Sequence, residues 1–338
     1  MKKRKYIEFP ESKRDMAAVQ SILRKTSAKS LKLARKRILK MNIESSQARR
    51  AIRFYAEQWD DIAHPGILAL SCEAVGGNIE KAIPLQVATL LLTATMDLHD
   101  DIIDQSRIKN GRPTVFGRFG KDITLLIGDA FFLEGFALLC KNEGKASSSS
   151  MRRMIEAIEQ AYFEVGNAHL LEAALKGRMD ISTETYLNII EKKAWSIGVH
   201  ASLGAILGGG TPKEIQALEN YGKTLGTLII LREEFVDLFE SEELLSRMKN
   251  ECLPLPLLLA FKDSALKKKL LGILSKPKIS KNDVERVVHA LIDEKVVDGF
   301  RKHMQDLSLE ATESISFVKN RQTKSAMKLL VQATLIDI

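Results

Sequence analysis

Cysteine is nearly absent from this chain of 338 residues, and that absence removes several classes at once. Cys72, Cys140 and Cys252 lie far apart with no CxxC pair, so neither a disulfide framework nor a zinc cluster is expected, and a reducing cytoplasm is the simplest setting. Proline is scarce as well, with 8 residues, which together with 45% hydrophobic and 28% charged residues excludes fibrous and disordered compositions. The 6 histidines form no HExxH pattern, so a zinc hydrolase site is not indicated. No glycine-rich phosphate loop and no Ser/His/Asp grouping stands out, and no segment sustains the period-two alternation of a half-buried strand.

Long apolar runs are lacking too. The longest uncharged stretches, Ala82–Met96 and Ser196–Thr211, carry Pro84 and Gln86 or His200 and several glycines, and they read as buried helices, not membrane spans. After MKKRKY come Glu8, Pro10 and Glu11 where an export signal needs an apolar core.

What is present is an uneven charge. The net formal charge is +8, yet residues 1–53 hold 17 Lys and Arg against 4 Asp and Glu, which leaves 34 against 39 for the rest. A basic helical arm on an acidic body reads first as a solvated face. Contact with an anionic membrane surface is the second reading, and nucleic acid is not expected.

Helical periodicity covers about 15–41, 44–60, 66–76, 79–105, 119–141, 149–175, 183–207 and 212–243, with shorter helices to the C-terminus. Gly76-Gly77 and Gly208–Gly210 end helices, Asn110-Gly111-Arg112-Pro113 marks a turn, and Ser147–Ser150 reads as a short polar loop. No linker divides the chain and no fixed repeat appears, so residues 1–338 are expected to form one all-α domain.

Chemistry concentrates at two helix ends. Leu85–Asp104 is apolar almost all round, but Thr89, Thr93, Asp97, Asp100 and Asp104 follow at spacings of four, four, three and four, forming one stripe with Asp101 beside it. An apolar helix with one acidic stripe lines a cavity, and its carboxylates repel one another without a counter-charge. Divalent cations supply one, and an all-oxygen ligand set suits Mg²⁺ with sites left for phosphate oxygens. A second helix, Leu225–Phe239, is apolar through Leu228–Leu231 and then presents Glu233, Glu234 and Asp237 within a turn. The bland reading of either cluster is a solvated helix end.

The string His99-Asp100-Asp101-Ile-Ile-Asp104, followed by Gly111-Arg112-Pro113-Thr114 and Gly128-Asp129, resembles the first aspartate-rich region of trans-isoprenyl diphosphate synthases, also called polyprenyl synthetases. Similarity continues through Ala74–Gly77, Tyr186–Lys193, Leu203–Gly208, Tyr221–Gly226 and Leu253-Pro254-Leu255, over roughly residues 60–260. The resemblance implies an antiparallel all-α bundle around a deep central cavity, usually dimeric, and two or three Mg²⁺ ions bridging an allylic prenyl diphosphate. It gives Asp100, Asp101 and Asp104 the role of metal ligands, and puts Glu233, Glu234 and Asp237 where a second DDxxD is usual. Lys109 takes the place of the first of two arginines after DDxxD, and Lys193 that of a lysine holding the diphosphate. Thr95 and Met96, at the fifth and fourth positions before Asp100, are not aromatic, so a long prenyl tail is expected unless Phe131 or Phe132 caps the cavity. His99 is expected to pack or hydrogen-bond.

The sequence also leaves its family. In the stretch Trp59-Asp60-Asp61-Ile62-Ala63-His64-Pro65, Asp61 replaces the lysine and His64 the arginine of the segment that holds isopentenyl diphosphate; Thr93 stands for a histidine or glutamine and Asn110 for the second arginine. Ala194 stands for a threonine, Asn250 falls near a usual lysine, and Asp97 adds a carboxylate. A carboxylate near an anion site repels a diphosphate. The expectation is therefore an enzyme that ionises an allylic diphosphate and transfers or rearranges the prenyl cation, with an acceptor other than isopentenyl diphosphate. Ordinary head-to-tail elongation is the alternative, and a non-catalytic partner of a true synthase is the third reading.

Overall fold

The computed structural model describes residues 10–109, 111–141, 147–239, 244, 252–276, 279–293, 296–336 and 338. Asn110 and Asn250 lie outside the described residues. The elements are α1 (Pro10–Leu39), α2 (Ser46–Gln58), α3 (Ala63–Ala74), α4 (Ile79–Ile103), β1 (Ile108–Lys109), β2 (Arg112–Pro113), α5 (Val115–Phe119), α6 (Lys121–Lys141), α7 (Ser148–Leu175), α8 (Thr183–Lys193), α9 (Trp195–Leu207) and α10 (Pro212–Asp237). There follow α11 (Leu255–Ala260), α12 (Ser264–Leu274), α13 (Lys281–Asp293), α14 (Val296–Ser314) and α15 (Arg321–Ala333). The fold is all-α, as expected; among the described residues the one sheet is the two-stranded ribbon in which Lys109 pairs with Arg112.

Helix starts follow their capping chemistry. Asn78 accepts from the Glu80 N–H at the head of α4, and Thr211 and Glu214 cap each other's backbone at the head of α10. Ser147 accepts from the Ser150 N–H, so Ser147–Ser150 is a capped helix start and not the loop its polarity suggests. The single helix expected over 183–207 is two, with Ala194 as the turn between α8 and α9.

Helix α4 is the spine. It packs on α6, α3 and α1, and its side chains enter two hydrophobic clusters: Leu85, Ala88 and Leu92 in the larger, and Leu90, Leu91 and Leu98 in the smaller. Each buried leucine contributes about 1.5–3 kcal/mol. The larger cluster joins α3, α9, α10 and α14, and the Tyr221 hydroxyl donates to the Met327 carbonyl at 2.9 Å, tying α10 to α15. Where α3 and α9 cross, a Cβ on Gly204 would stand 2.1 Å from the Leu68 carbonyl oxygen, so only glycine allows that approach.

Of the basic arm at 1–53, the described residues form α1, folded along the body, and the first part of α2. Arg24 makes a double contact with Asp60 at 2.7 and 3.0 Å, Lys29 meets Glu80 at 2.5 Å, and Arg37 meets Glu134. These three cations face protein carboxylates. Among the described residues one helix, α6, is long and apolar enough to cross a membrane, and only 33% of its most apolar stretch is buried. Leu126, Leu133 and Phe136 on α6 and Phe163 and Leu170 on α7 are exposed, and the Phe132 and Tyr162 rings, 5.5 Å apart, join the two helices. Among the described residues nothing covers these five exposed side chains.

Candidate active site

A cavity of about 910 Å³ opens between α4, α7, α9 and α10. All five residues of the α4 stripe, Thr89, Thr93, Asp97, Asp100 and Asp104, line it, and Glu233, Glu234 and Asp237 line it from α10. The two acidic helix ends therefore share one space. Leu92, Met96, Ile158, Tyr162, Val165 and Leu203 form the apolar part of its wall.

Helix α4 ends with Gln105 in the left-handed region at φ 57°, and the Ser106 N–H bonds back to the Asp101 carbonyl at 2.9 Å. Such a termination is unusual for a residue with a Cβ, and it turns the chain sharply into the ribbon. The ribbon returns Lys109 over the helix end, with its Nζ 2.7 Å from Asp101 Oδ1 and 3.6 Å from Asp100 Oδ2. Carboxylates at a helix C-terminus face the negative end of the helix dipole, so the lysine offsets an unfavourable arrangement. Burial works against the charged Lys109, but Asp100 and Asp101 outweigh it and hold its pKa above the usual lysine value. Burial raises the Asp101 carboxyl even though Lys109 opposes the shift.

Not every expected residue faces the cavity. Asp101 is 8% exposed and turned to Lys109, beside the stripe. Thr95 does not line the cavity: its hydroxyl is buried and lies 3.0 Å from the Gly128 carbonyl and 3.1 Å from the Leu91 carbonyl, because one helical step of about 100° carries it from Met96 toward α6. Met96 alone of that pair reaches the cavity. Neither Phe131, fully buried in the core, nor Phe132 lines it; Tyr162 is the ring that does. His99 packs over Gly128, where a Cβ would stand 2.7 Å from its Nε2, and lies 3.4 Å from Asp129.

Lys193 lines the cavity and pairs with the buried Glu172 at 2.5 Å. Glu234, 3% exposed, accepts from the Tyr186 hydroxyl. His169 Nδ1 lies 3.4 Å from Asp100 Oδ1, and burial keeps its pKa below the ordinary histidine value. His169, Glu172 and Tyr186 were missed in sequence. His169 and Glu172 sit three apart on one face of α7, a faint signal in a helix of mixed composition.

Three of the departures, His64, Thr93 and Asp97, line this cavity. His64 from the head of α3 and His200 from α9 line it together with Asp97. The His64 Nδ1 is 2.9 Å from Asp61 Oδ2, and the two rings lie 4.8 Å apart. Burial opposes both charges of the Asp61 and His64 pair, yet their mutual attraction wins, lowering the aspartate and raising the histidine. Asp97 is open to the cavity, but the cavity is walled by protein. Incomplete solvation, with Asp61 nearby, pushes its carboxyl up to about 7.

The residues fit magnesium. Every candidate ligand is a carboxylate oxygen, and the buried Asp100 Oδ1 has no hydrogen-bond partner. Among the described residues no three His, Cys, Asp or Glu side chains close around an ion by themselves. Mg²⁺ takes one or two carboxylates and fills its other positions with water and substrate phosphates, and both helix ends offer carboxylates.

The sequence profile of the polyprenyl synthetase family matches residues 63–291. A short chain isoprenyl diphosphate synthase of Methanothermobacter thermautotrophicus is 31% identical over 54% of this chain and 56% of its own length. A geranylgeranyl diphosphate synthase of Methanosarcina mazei is 27% identical over 59% of this chain and 61% of its own length, so these alignments span less than two thirds of the relatives. The structure of a geranylgeranyl pyrophosphate synthetase from Pyrococcus horikoshii superposes with a TM-score of 0.83, at 22% identity, over 94% of this chain and 99% of that one. A match across more than half of the sequence, on a fold shared along nearly all of it, makes this chain a member of the polyprenyl synthetase family.

Proposed function

We propose that this protein is a Mg²⁺-dependent prenyltransferase that ionises an allylic prenyl diphosphate and joins the prenyl cation to an acceptor. One observation carries the reading: two carboxylate clusters on different helices open into a single cavity that also has an apolar wall. Asp100 and Asp104 from α4, with Glu233, Glu234 and Asp237 from α10, would hold the ions, and Asp101 would join them once Lys109 turns to the diphosphate. Bound magnesium supplies neutralisation of the charge that gathers on the departing diphosphate. Lys109 and Lys193 add cationic donors for its oxygens. Leu92, Met96, Ile158, Val165 and Leu203 exclude water from the allylic cation, which water would otherwise capture.

The relatives support head-to-tail elongation with isopentenyl diphosphate as the first reading of the coupling step, since those of the most similar curated proteins named above are isoprenyl and geranylgeranyl diphosphate synthases. They support it better than the other acceptor to which the sequence alone points. Asp61, paired with His64 where that substrate's basic contacts belong, favours the second reading, transfer to a different acceptor. The absence of a bulky ring at Met96 supports a long prenyl tail. The exposed apolar face of α6 and α7 supports a homodimer, with a second copy as its cover. Chain folding as one working unit and a cytoplasmic setting complete the reading.

The deciding experiment incubates the protein with Mg²⁺ and C10 to C25 allylic diphosphates, with and without isopentenyl diphosphate, and identifies every product. Elongated diphosphates support the first reading, and pyrophosphate release without elongation supports the second. Absence of any pyrophosphate release refutes both and favours a non-catalytic partner.

A further inference from the structure

At the end of the cavity bounded by α3, α4 and α9, His200, Asp97 and Thr93 present lone pairs. The Asp61 carboxylate holds His64 from two sides, with Oδ2 2.9 Å from the ring Nδ1 and Oδ1 accepting the His64 backbone N–H at 3.2 Å. Its Nδ1 hydrogen is given to the carboxylate, which holds the ring toward its protonated form, so Asp61 and His64 form an ion pair whose charges meet each other. His200 is fixed through the same nitrogen. Its Nδ1 lies 2.6 Å from the Ser196 carbonyl, which only accepts, so the hydrogen is on Nδ1 and Nε2 carries a lone pair. That Nε2 is buried without a hydrogen-bond partner in a residue 4% exposed that lines the cavity. Burial and the neighbouring His64 push the His200 pKa down to about 3, so the ring stays neutral. Asp97 adds a carboxylate, and the Thr93 hydroxyl has already given its hydrogen to the Thr89 carbonyl at 3.0 Å.

A surface of acceptors seats a ligand that brings donors, because a buried polar atom left unpaired is costly and a second acceptor cannot pair it. It also disfavours an anion, since Asp61 and Asp97 are both carboxylic groups and His64 offsets only one of them. We propose that this end of the cavity seats the acceptor of the prenyl group, and that the acceptor presents a hydroxyl or amine head group in place of a second diphosphate. The inference rests on the reading that the cavity ionises an allylic diphosphate, and it specifies the substrate class of the second acceptor reading. In the transfer, the bond from the allylic carbon to the diphosphate oxygen breaks and the diphosphate leaves with the electron pair. A lone pair of the acceptor oxygen or nitrogen forms the new bond to that carbon. The O–H or N–H proton passes to the Asp97 carboxylate, which lines the same end of the cavity, and from there to solvent.

The test supplies the full chain with Mg²⁺ and geranylgeranyl diphosphate, then offers isopentenyl diphosphate, phenol or aniline, reading pyrophosphate release and products by mass spectrometry. The expected result is a prenyl ether or prenyl amine formed with saturable kinetics, about tenfold or more faster than isopentenyl diphosphate is incorporated. The double variant Asp61→Lys with His64→Arg should shift that preference toward isopentenyl diphosphate by about tenfold or more. If the double variant does not fold, Asp97→Asn decides: a KM for phenol or aniline raised about threefold or more supports the site, and an unchanged KM overturns it. Saturable elongation by the wild type with phenol and aniline unreacted overturns the inference, and so does release of prenyl alcohol alone that neither compound alters. Failure of the wild type to release pyrophosphate at all, with Asp100→Asn indistinguishable from it, defeats the ionisation reading and takes this inference with it.

Discussion

Replacing Asp97 by asparagine should make the protein more stable at neutral and alkaline pH and leave it unchanged in acid. The folded protein holds this carboxyl at about 7, against 3.8 for the ordinary aspartate. A folded pKa above the unfolded one means that folding favours the protonated form. The stability it accompanies is present below the unfolded value and is lost as the pH rises through the folded one. Fully buried, a shift of that size would be worth about 4 kcal/mol at high pH, at about 1.4 kcal/mol for each pH unit. The Asp97 side chain is open to cavity water, and screening there reduces the expected loss to about 1 kcal/mol. Urea unfolding of the metal-free protein at pH 5, 6, 7 and 8 measures it. The wild type should lose stability between pH 5 and 8, and Asp97→Asn should remove about 1 kcal/mol of that loss. Parallel stability curves for the two proteins would refute the argument, because they would mean that Asp97 is as well solvated folded as unfolded.

Further consequences concern other walls of the site. Lys193→Ala leaves the buried Glu172 without its lysine and should cost about 2 kcal/mol in urea unfolding, with Glu172→Gln in the same chain recovering part of it. Met96→Trp should fill part of the apolar wall and shift the preference among allylic diphosphates toward C10 by about tenfold in kcat/KM. Leu133→Arg, on the exposed face of α6, should convert a dimer into a monomer in sedimentation velocity.

Much of the cavity was legible because helical geometry is local. Spacings of four, four, three and four fix a stripe on α4 whatever surrounds it, and Thr89 through Asp104 line the cavity accordingly. The same geometry explains the misplacement of Thr95, which its position relative to the aspartates suggested but which the helix turns toward Gly128. Contacts between distant segments carry no such local sign. Glu172 meets Lys193 and Tyr186 meets Glu234 only because α7, α8 and α10 pack together. Asp61 and His64 stood out as departures, but their pairing with each other, and the approach of His200 across α9, follow from the fold. That the apolar surface of α6 is exposed has no sign in the sequence, since hydropathy does not distinguish a buried face from an exposed one.

The central claim, that carboxylates on α4 and α10 draw a diphosphate from a prenyl carbon, is tested most directly by pyrophosphate release from geranylgeranyl diphosphate by the wild type and Asp100→Asn, each with Mg²⁺ and with EDTA. The account predicts release by the wild type that EDTA abolishes and that Asp100→Asn lowers on the order of 100-fold or more, with the helical circular dichroism unchanged. Equal release from the two proteins, or release that EDTA leaves intact, would contradict it.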